Sequence, residues 1–435
     1  MNHQASSGLG IRPTRYFRMM AVSIGVIVVV LGVAVLSSAA IADEHRNVPP
    51  HARWIKSLQS TGIFFKQKYR YEHVNDDNAT KHANVKTMRT EIGYASDIHR
   101  GVSGLIELEN VEVLGNGDYN STTNGRTRFA TVVDAETTEL KQSYLAFHQL
   151  PDTVIKAGRQ RIFYDNQRFI GDIKFRQHHQ SFDALSVSNE SVPDLKLDYN
   201  YIKQVLRIFS TDNTASGTFN SNSHLLHGTY SGFDFAKISG YGYFLDFDDD
   251  SPTLSTQTLG LRGAGGTPLN DSFKLLYAGE FAHQTDRANH PNSVDLNYYM
   301  LEGGVSFKGL TLKLDYEVLE GDSTNGFQMA LGTNHKFQGV ADRYLTTQAD
   351  GMEDLYGTVL YVIKDLGYID KVVLWAMYHD FEAEDSSRDL GSEFDARAAV
   401  TVHKRFTLAV KYGDFQAGDF SADIQKLWLT LSYGF

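Results

Sequence analysis

Two stretches of this 435-residue chain concentrate side chains able to recognise an anion. The first carries Arg159, Arg161, Arg168, Lys174 and Arg176, with Asp172 and Asp183 among them. The second carries Lys336 and Arg343 beside Asp342. Guanidinium groups take carboxylates through two parallel hydrogen bonds, so such sets suit binding and relaying acidic groups. The same charges can pair with one another and hold a loop in place, and the two roles are compatible. Both stay open at this stage.

Other constellations lead nowhere specific. His178-His179 and His379-Asp380 invite catalytic or metal readings. There is no G-x-S-x-G, no H-x-x-x-H and no cysteine, so nucleophile-elbow, zinc and thiol chemistry lack their residues. Neighbours on a strand face opposite ways, which separates His379 from Asp380. No enzyme activity, cofactor or metal is expected. Acidic pairs at Asp76-Asp77, Asp248 to Asp250 and Glu384-Asp385 read as solvated loops. Cation bridging from these carboxylates to lipopolysaccharide phosphates is the less favoured alternative.

The elements that position these groups have a period of two. Leu310, Leu312, Leu314, Tyr316 and Val318 alternate with Thr311, Lys313, Asp315 and Glu317. The same split recurs at Phe394 to Thr401, Arg405 to Tyr412, Phe273 to Gln284 and Phe65 to Glu72. Apolar rows repeated along the chain, with no helix to cover them, suit strands between lipid and a water-filled interior. Residues 140–148, 153–162 and 354–364 do not fix which face is wet, and Lys203 falls on an apolar face without explanation. Arg207 is expected to snorkel at the rim. Trp375, Tyr298 and Tyr299 are assigned to interfacial girdles, with at most one of the two tyrosines facing lipid.

Segment counting predicts an all-β chain, a transmembrane antiparallel β-barrel of about 18 strands spanning 61–435. Long connections near 75–83, 115–136, 164–180, 210–222, 247–254, 285–294, 321–352, 383–391 and 418–422 alternate with short ones such as Pro151-Asp152 and Lys308-Gly309. Outer-membrane barrels have short periplasmic turns and long external loops. Residues 1–42 read as a cleaved secretory signal, with Arg12, Arg15 and Arg18 before an apolar run and Ala40-Ile41-Ala42 at its end. Residues 43–60 are then a periplasmic segment. Removing the signal takes the net charge from −11 to −14, which argues against nucleic acid as a partner. The last strand alternates Leu427, Leu429, Leu431, Tyr433 and Phe435. A terminal Phe of this kind resembles the signal read by the barrel-assembly machinery.

An ordered set of short motifs resembles the alginate-export family of outer-membrane porins. These are Gly158-Arg159-Gln160, Arg168 to Asp172, Arg176-Gln177, Ser181 to Ala184, Tyr316-Glu317, Glu320 to Asp322, Phe327-Gln328, His335 to Gly339, Asp342, Gly351 to Tyr356 and Tyr378 to Phe381. The order holds from about residue 60 onward. The resemblance implies an 18-stranded monomeric barrel passing an anionic polysaccharide, or a related anionic solute, through a lumen lined by arginine and lysine. Independently of the resemblance, the length and basic content of the 164–180 and 321–352 loops make them the candidates to fold inward, with Arg159, Arg161, Arg168, Asp172, Arg176, Asp183, Lys336, Asp342 and Arg343 as constriction residues. The expected partners are outer-membrane lipid and lipopolysaccharide. The chain departs from the family pattern at Glu320, which adds a negative charge near the outer rim. A positive constriction beneath an acidic rim is therefore predicted; the −14 balance keeps a general or cation-favouring porin as the alternative, with a barrel enzyme or a plugged structural barrel less favoured.

Overall fold

The computed structural model describes residues 61–435 except 249 and 420, so the leader and the periplasmic segment lie outside the described residues. Eighteen strands follow one another in chain order: β1 Ile63–Asp76, β2 Ala83–Ala95, β3 Val102–Val113, β4 Thr137–Phe147, β5 Thr153–Gln160 and β6 Ser181–Val192. Next come β7 Leu195–Leu206, β8 Thr218–Tyr230, β9 Ala236–Phe244, β10 Thr256–Pro268, β11 Phe273–Asp286 and β12 Asp295–Phe307. The last six are β13 Leu310–Leu319, β14 Met352–Leu366, β15 Ile369–Glu382, β16 Asp389–Val402, β17 Phe406–Ala417 and β18 Ile424–Gly434. Each pairs antiparallel with its sequence neighbours, and β1 pairs with β18, so no edge is left open. Phe435 seals the seam by exchanging both backbone hydrogen bonds with Phe65, at 2.9 and 3.1 Å. Closure satisfies the backbone groups that hydrocarbon cannot.

The strands begin and end where turn chemistry requires it. Lys308 and Gly309 both hold positive φ, 45° and 88°, the two-residue hairpin geometry whose twist matches the strands. A Cβ at Gly309 would sit 2.4 Å from the Val362 carbonyl oxygen, so glycine is required there. Lys203 falls at a register shift between Ile202 and Gln204, a β-bulge that breaks the alternation and explains its place in the sequence pattern. Arg207 lies just past β7 with its guanidinium 4.2 Å from the Phe219 ring centroid. It packs over an aromatic side chain rather than snorkelling.

Most outward-facing residues along the middle of the wall are apolar. Leu314 is 60% exposed and Leu301 66%, in a wall that offers them no cover except lipid. Exposed aromatics form two belts. Tyr94, Phe147, Tyr230, Phe273, Tyr361 and Phe406 lie near the short turns, and Phe281, Tyr299, Tyr316 and Tyr378 near the long loops. Replacing Leu314 by Arg is expected to cost about 2–4 kcal/mol of folding free energy in lipid vesicles, as for a cation forced into hydrocarbon. A penalty within about 0.5 kcal/mol, typical of a wet surface site, would contradict the lipid-facing assignment.

The interior is only partly wet. From β6 to β13 the inward side chains Phe182, Ile202, Leu225, Tyr241, Tyr243 and Leu296 pack against Ile162, Phe169, Ile170, Phe327 and Leu331 from two long loops. This packed mass fills one side of the barrel. The open space, a cavity of about 940 Å³, is displaced toward β10–β18 and β1.

Candidate functional site

Two loops build the narrow region. Residues 161–180, between β5 and β6, and 320–351, between β13 and β14, turn inward and pair with each other. Ile170 and Leu331 form a parallel bridge, and Gly171 N–H donates to the Leu331 carbonyl at 2.9 Å. Wall cations hold the first loop by its backbone. Lys68 donates to the carbonyls of Phe175 and Arg176 at 3.1 and 3.0 Å, Arg70 to that of Phe175, and Lys141 to that of His179 at 3.0 Å. Inward-pointing carbonyls need donors where water is scarce, and the strands provide them. The second loop is held from the opposite side. Asp395 and Glu393 on β16 accept from the amides of Val340 and Ala341, at 3.1 and 2.6 Å.

Four of the nine anticipated residues, Arg168, Arg176, Asp342 and Arg343, are consumed in anchoring contacts. Arg168 is buried and forms a two-pronged pair with Glu317 of β13, at 2.7 and 2.9 Å, while donating to Asn334 in the other loop. Arg176 joins Glu72 at 3.0 Å to Asp342 at 2.8 Å, and so ties the first loop to both β1 and the second loop. Asp342 also accepts from Lys426 at 2.9 Å and from His335 at 2.5 Å. Burial pushes His335 down to about 3, and Lys411 adds to this, so the ring stays neutral. Its Nδ1–H then donates to Asp342 while Nε2 accepts from Lys411. Arg343 binds Asp76 at 3.1 Å near the outer rim, away from the cavity lining.

Arg159 and Asp183 are elsewhere. They face each other across β5 and β6 in a bidentate pair at 2.7 and 2.8 Å. Strand alternation puts them on the side of Leu145 and Leu185, which are 54% and 43% exposed on the outer wall. They do not line the pore. Trp375 and Tyr298, assigned to girdles, both face inward and line the cavity, because alternation cannot choose a side in runs apolar on both faces. Tyr299 faces outward, so one of the two neighbours faces lipid, within the limit of at most one. His178 and His179 are buried against Glu109, at 2.9 and 3.1 Å. His379 bonds Asp354 on the next strand, while Asp380 is exposed on the other face.

The loop cations that do reach the cavity are Arg161, Lys174 and Lys336, with Asp172 beside Arg161. Lys336 donates to the Asn166 carbonyl at 3.0 Å, and Lys174 has no carboxylate partner among the described residues. Burial, then repulsion from Arg161, lowers Lys174 to about 8. The strands add Lys68, Arg70, Arg262, Lys313, Arg397 and Lys411. Sequence reasoning had placed five of these six on wet strand faces without assigning them a role; Arg262 was missed. The acidic lining residues are Asp172, Glu302, Asp315 and Glu317.

A closed 18-stranded barrel with a lipid-facing apolar exterior and a charged, loop-narrowed lumen is an outer-membrane channel of porin type. The family profile described as alginate export matches residues 65–382, and the chain belongs to that family. Its family and fold are those of bacterial outer-membrane channels rather than enzymes. Solved structures similar to it include Acinetobacter baumannii OccAB2, at TM-score 0.66 and 12% identity, covering 86% of this chain and 98% of that one. Pseudomonas aeruginosa OccK9 (OpdG) gives TM-score 0.66 and 13% identity over 86% and 97%. Pseudomonas aeruginosa OpdK, solved with vanillate, gives TM-score 0.63 and 12% identity over 86% and 98%. No curated protein sequence matches the chain.

Proposed function

We propose that the channel passes anionic solutes, an acidic polysaccharide or its fragments above all, by diffusion through an off-centre slot between the two loops and the β14–β18 wall. The observation that carries this is a reversal of sign. The whole chain has 41 Lys and Arg against 52 Asp and Glu, but the cavity lining has nine against four. Low-dielectric walls focus such a field, and charge at a constriction sets which ions enter. Membership of the alginate export family, and likeness to a barrel solved with a carboxylate, are in keeping with this reading.

Reversal potential across a planar bilayer under a KCl gradient tests it. Chloride preference is expected, weakened in the triple variant Lys174→Gln, Lys336→Gln, Arg397→Gln. Potassium preference that ignores those substitutions would instead support a general or cation-favouring porin. Acidic residues in the long loops, such as Asp76, Asp77, Glu384 and Asp385, would then dominate. A pH dependence follows from Lys174. Its amine is charged below about 8 and neutral above, so chloride preference should fall as pH rises from 7 to 9. In Lys174→Gln that step should disappear, and a step of equal size in the variant would assign the titration to another group.

A further inference from the structure

Across four adjacent strands the inward residues at one level are Trp375, Arg397, Lys411 and Trp428, each in register with the next. The row reads aromatic, cation, cation, aromatic, and all four line the cavity. Its two halves are in different states. Lys411 and Trp428 are roofed by Phe175 of the first loop. The Lys411 amine lies 3.4 Å from the Phe175 ring centroid and 4.2 Å from that of Trp428. The two rings meet edge-on at 5.7 Å and 82°. Trp428 is 1% exposed. The Lys411 ammonium thus lies between a wall tryptophan and a six-membered ring supplied by the loop.

The other half carries no such lid. Trp375 and Arg397 stay partly exposed to the cavity, and among the described residues neither side chain makes a hydrogen bond or an ion pair. An unpaired guanidinium in a confined lumen is a fork of donors without an acceptor, and carboxylate is the group that fits it in two-pronged fashion. Directly opposed residues on paired strands have Cβ atoms about 5 Å apart, so the indole and the guanidinium rise side by side from the wall. On the periplasmic side the lining continues as Thr407 and Thr430, which offer hydroxyls and no charge.

We propose that Trp375 and Arg397 form a subsite for a carboxylate borne directly on a six-membered ring, the ring lying on the indole and the carboxylate on the guanidinium. This rests on the anion-passing reading and narrows it: a small acyclic carboxylate engages Arg397 alone, whereas a ring acid engages both residues. Two sources share the chemistry, a sugar acid with a C–H face and an aryl acid with a π face.

The experiment uses the purified full chain in planar bilayers, with KCl reversal potential recorded first and current block then titrated. The probes are sodium glucuronate, sodium benzoate, sodium acetate and glucose. The expected result is block by at least one ring acid at roughly tenfold lower concentration than acetate, about the worth of one aromatic contact. Glucose should not block. Trp375→Leu should collapse the ratio between acetate and ring acid toward one, and Trp375→Phe should retain part of it. Arg397→Gln should weaken block by both kinds of acid. Stronger block by glucuronate assigns the site to sugar acids, and by benzoate to aryl acids. An unchanged ring-acid-to-acetate ratio in Trp375→Leu overturns the subsite. That failure is separable from failure of the functional reading, which the KCl reversal potential reports on its own.

Discussion

Replacing Arg168 by Met is expected to cost about 3–5 kcal/mol of stability and to raise single-channel conductance, the largest pair of effects any one substitution in this barrel should have. The two prongs to Glu317 and the bond to Asn334 join the first loop, the wall and the second loop through one side chain. Both partners of the ion pair are about 1% exposed, so removing the guanidinium strands the Glu317 carboxylate with the Tyr298 hydroxyl as its one remaining donor among the described residues. The stacking of Arg168 over Phe337, at 4.9 Å, is lost with it. Stability is read from urea unfolding in vesicles and conductance from planar bilayers. The double variant Arg168→Met, Glu317→Gln removes the stranded charge and should recover most of the stability. It should not restore the conductance, because the loop remains untied. Arg168→Lys keeps the charge without the fork and should fall between. Wild-type conductance in Arg168→Met would show that the 161–180 loop is held without this pair.

The strands were legible because lipid enforces a period of two, and Leu310 to Val318 displays it without interruption. The long and short connections were legible for a related reason, since only turns such as Lys308-Gly309 can join paired strands in two residues. The site was legible in composition and not in geometry. Arg168 and Glu317 are 149 residues apart, and no local pattern announces that they meet. Arg159 was misplaced where alternation was silent, in the 153–162 stretch that gave no wet face, and Asp183 was misplaced with it as its cross-strand partner. Trp375 was misplaced for the same reason, sitting among Val372, Val373, Leu374, Ala376 and Met377, which are apolar whichever way they point. From β6 to β13 many inward residues are apolar because they meet packed loops rather than water, which a rule built on lipid and lumen alone does not foresee. Lys68, Arg70, Lys313, Arg397 and Lys411 were visible as charged positions on wet faces. Which of them is spent on a loop carbonyl and which is left for solute depends on contacts made across the lumen.

Asp342 tests that division between anchoring and conducting cations. Its carboxylate is buried and accepts from Arg176, Lys426 and His335, and through His335 it is linked to Lys411. Burial alone would raise its pKa, but the surrounding donors and cations hold it well below the usual carboxylate range. Asp342→Asn keeps the shape and removes the one negative charge these groups share. Arg176 still has Glu72, whereas Lys426 loses its ion-pair partner. A loss of about 3 kcal/mol or more is expected, as for other buried pairs deprived of one member. The two readouts should move in opposite directions, with stability falling and chloride preference rising as uncompensated positive charge is added beside the slot. The sign of the pH dependence is set by the depressed pKa. Stability from Asp342 is fully present above its unfolded value, near 4, and is lost as pH falls through the folded value. The gap between wild type and Asp342→Asn should therefore be flat from pH 8 to about 5 and narrow only in stronger acid. A gap that narrows between pH 7 and 5 would implicate a group titrating near neutrality, such as His335, and would refute the neutral-imidazole relay from Lys411 to Asp342.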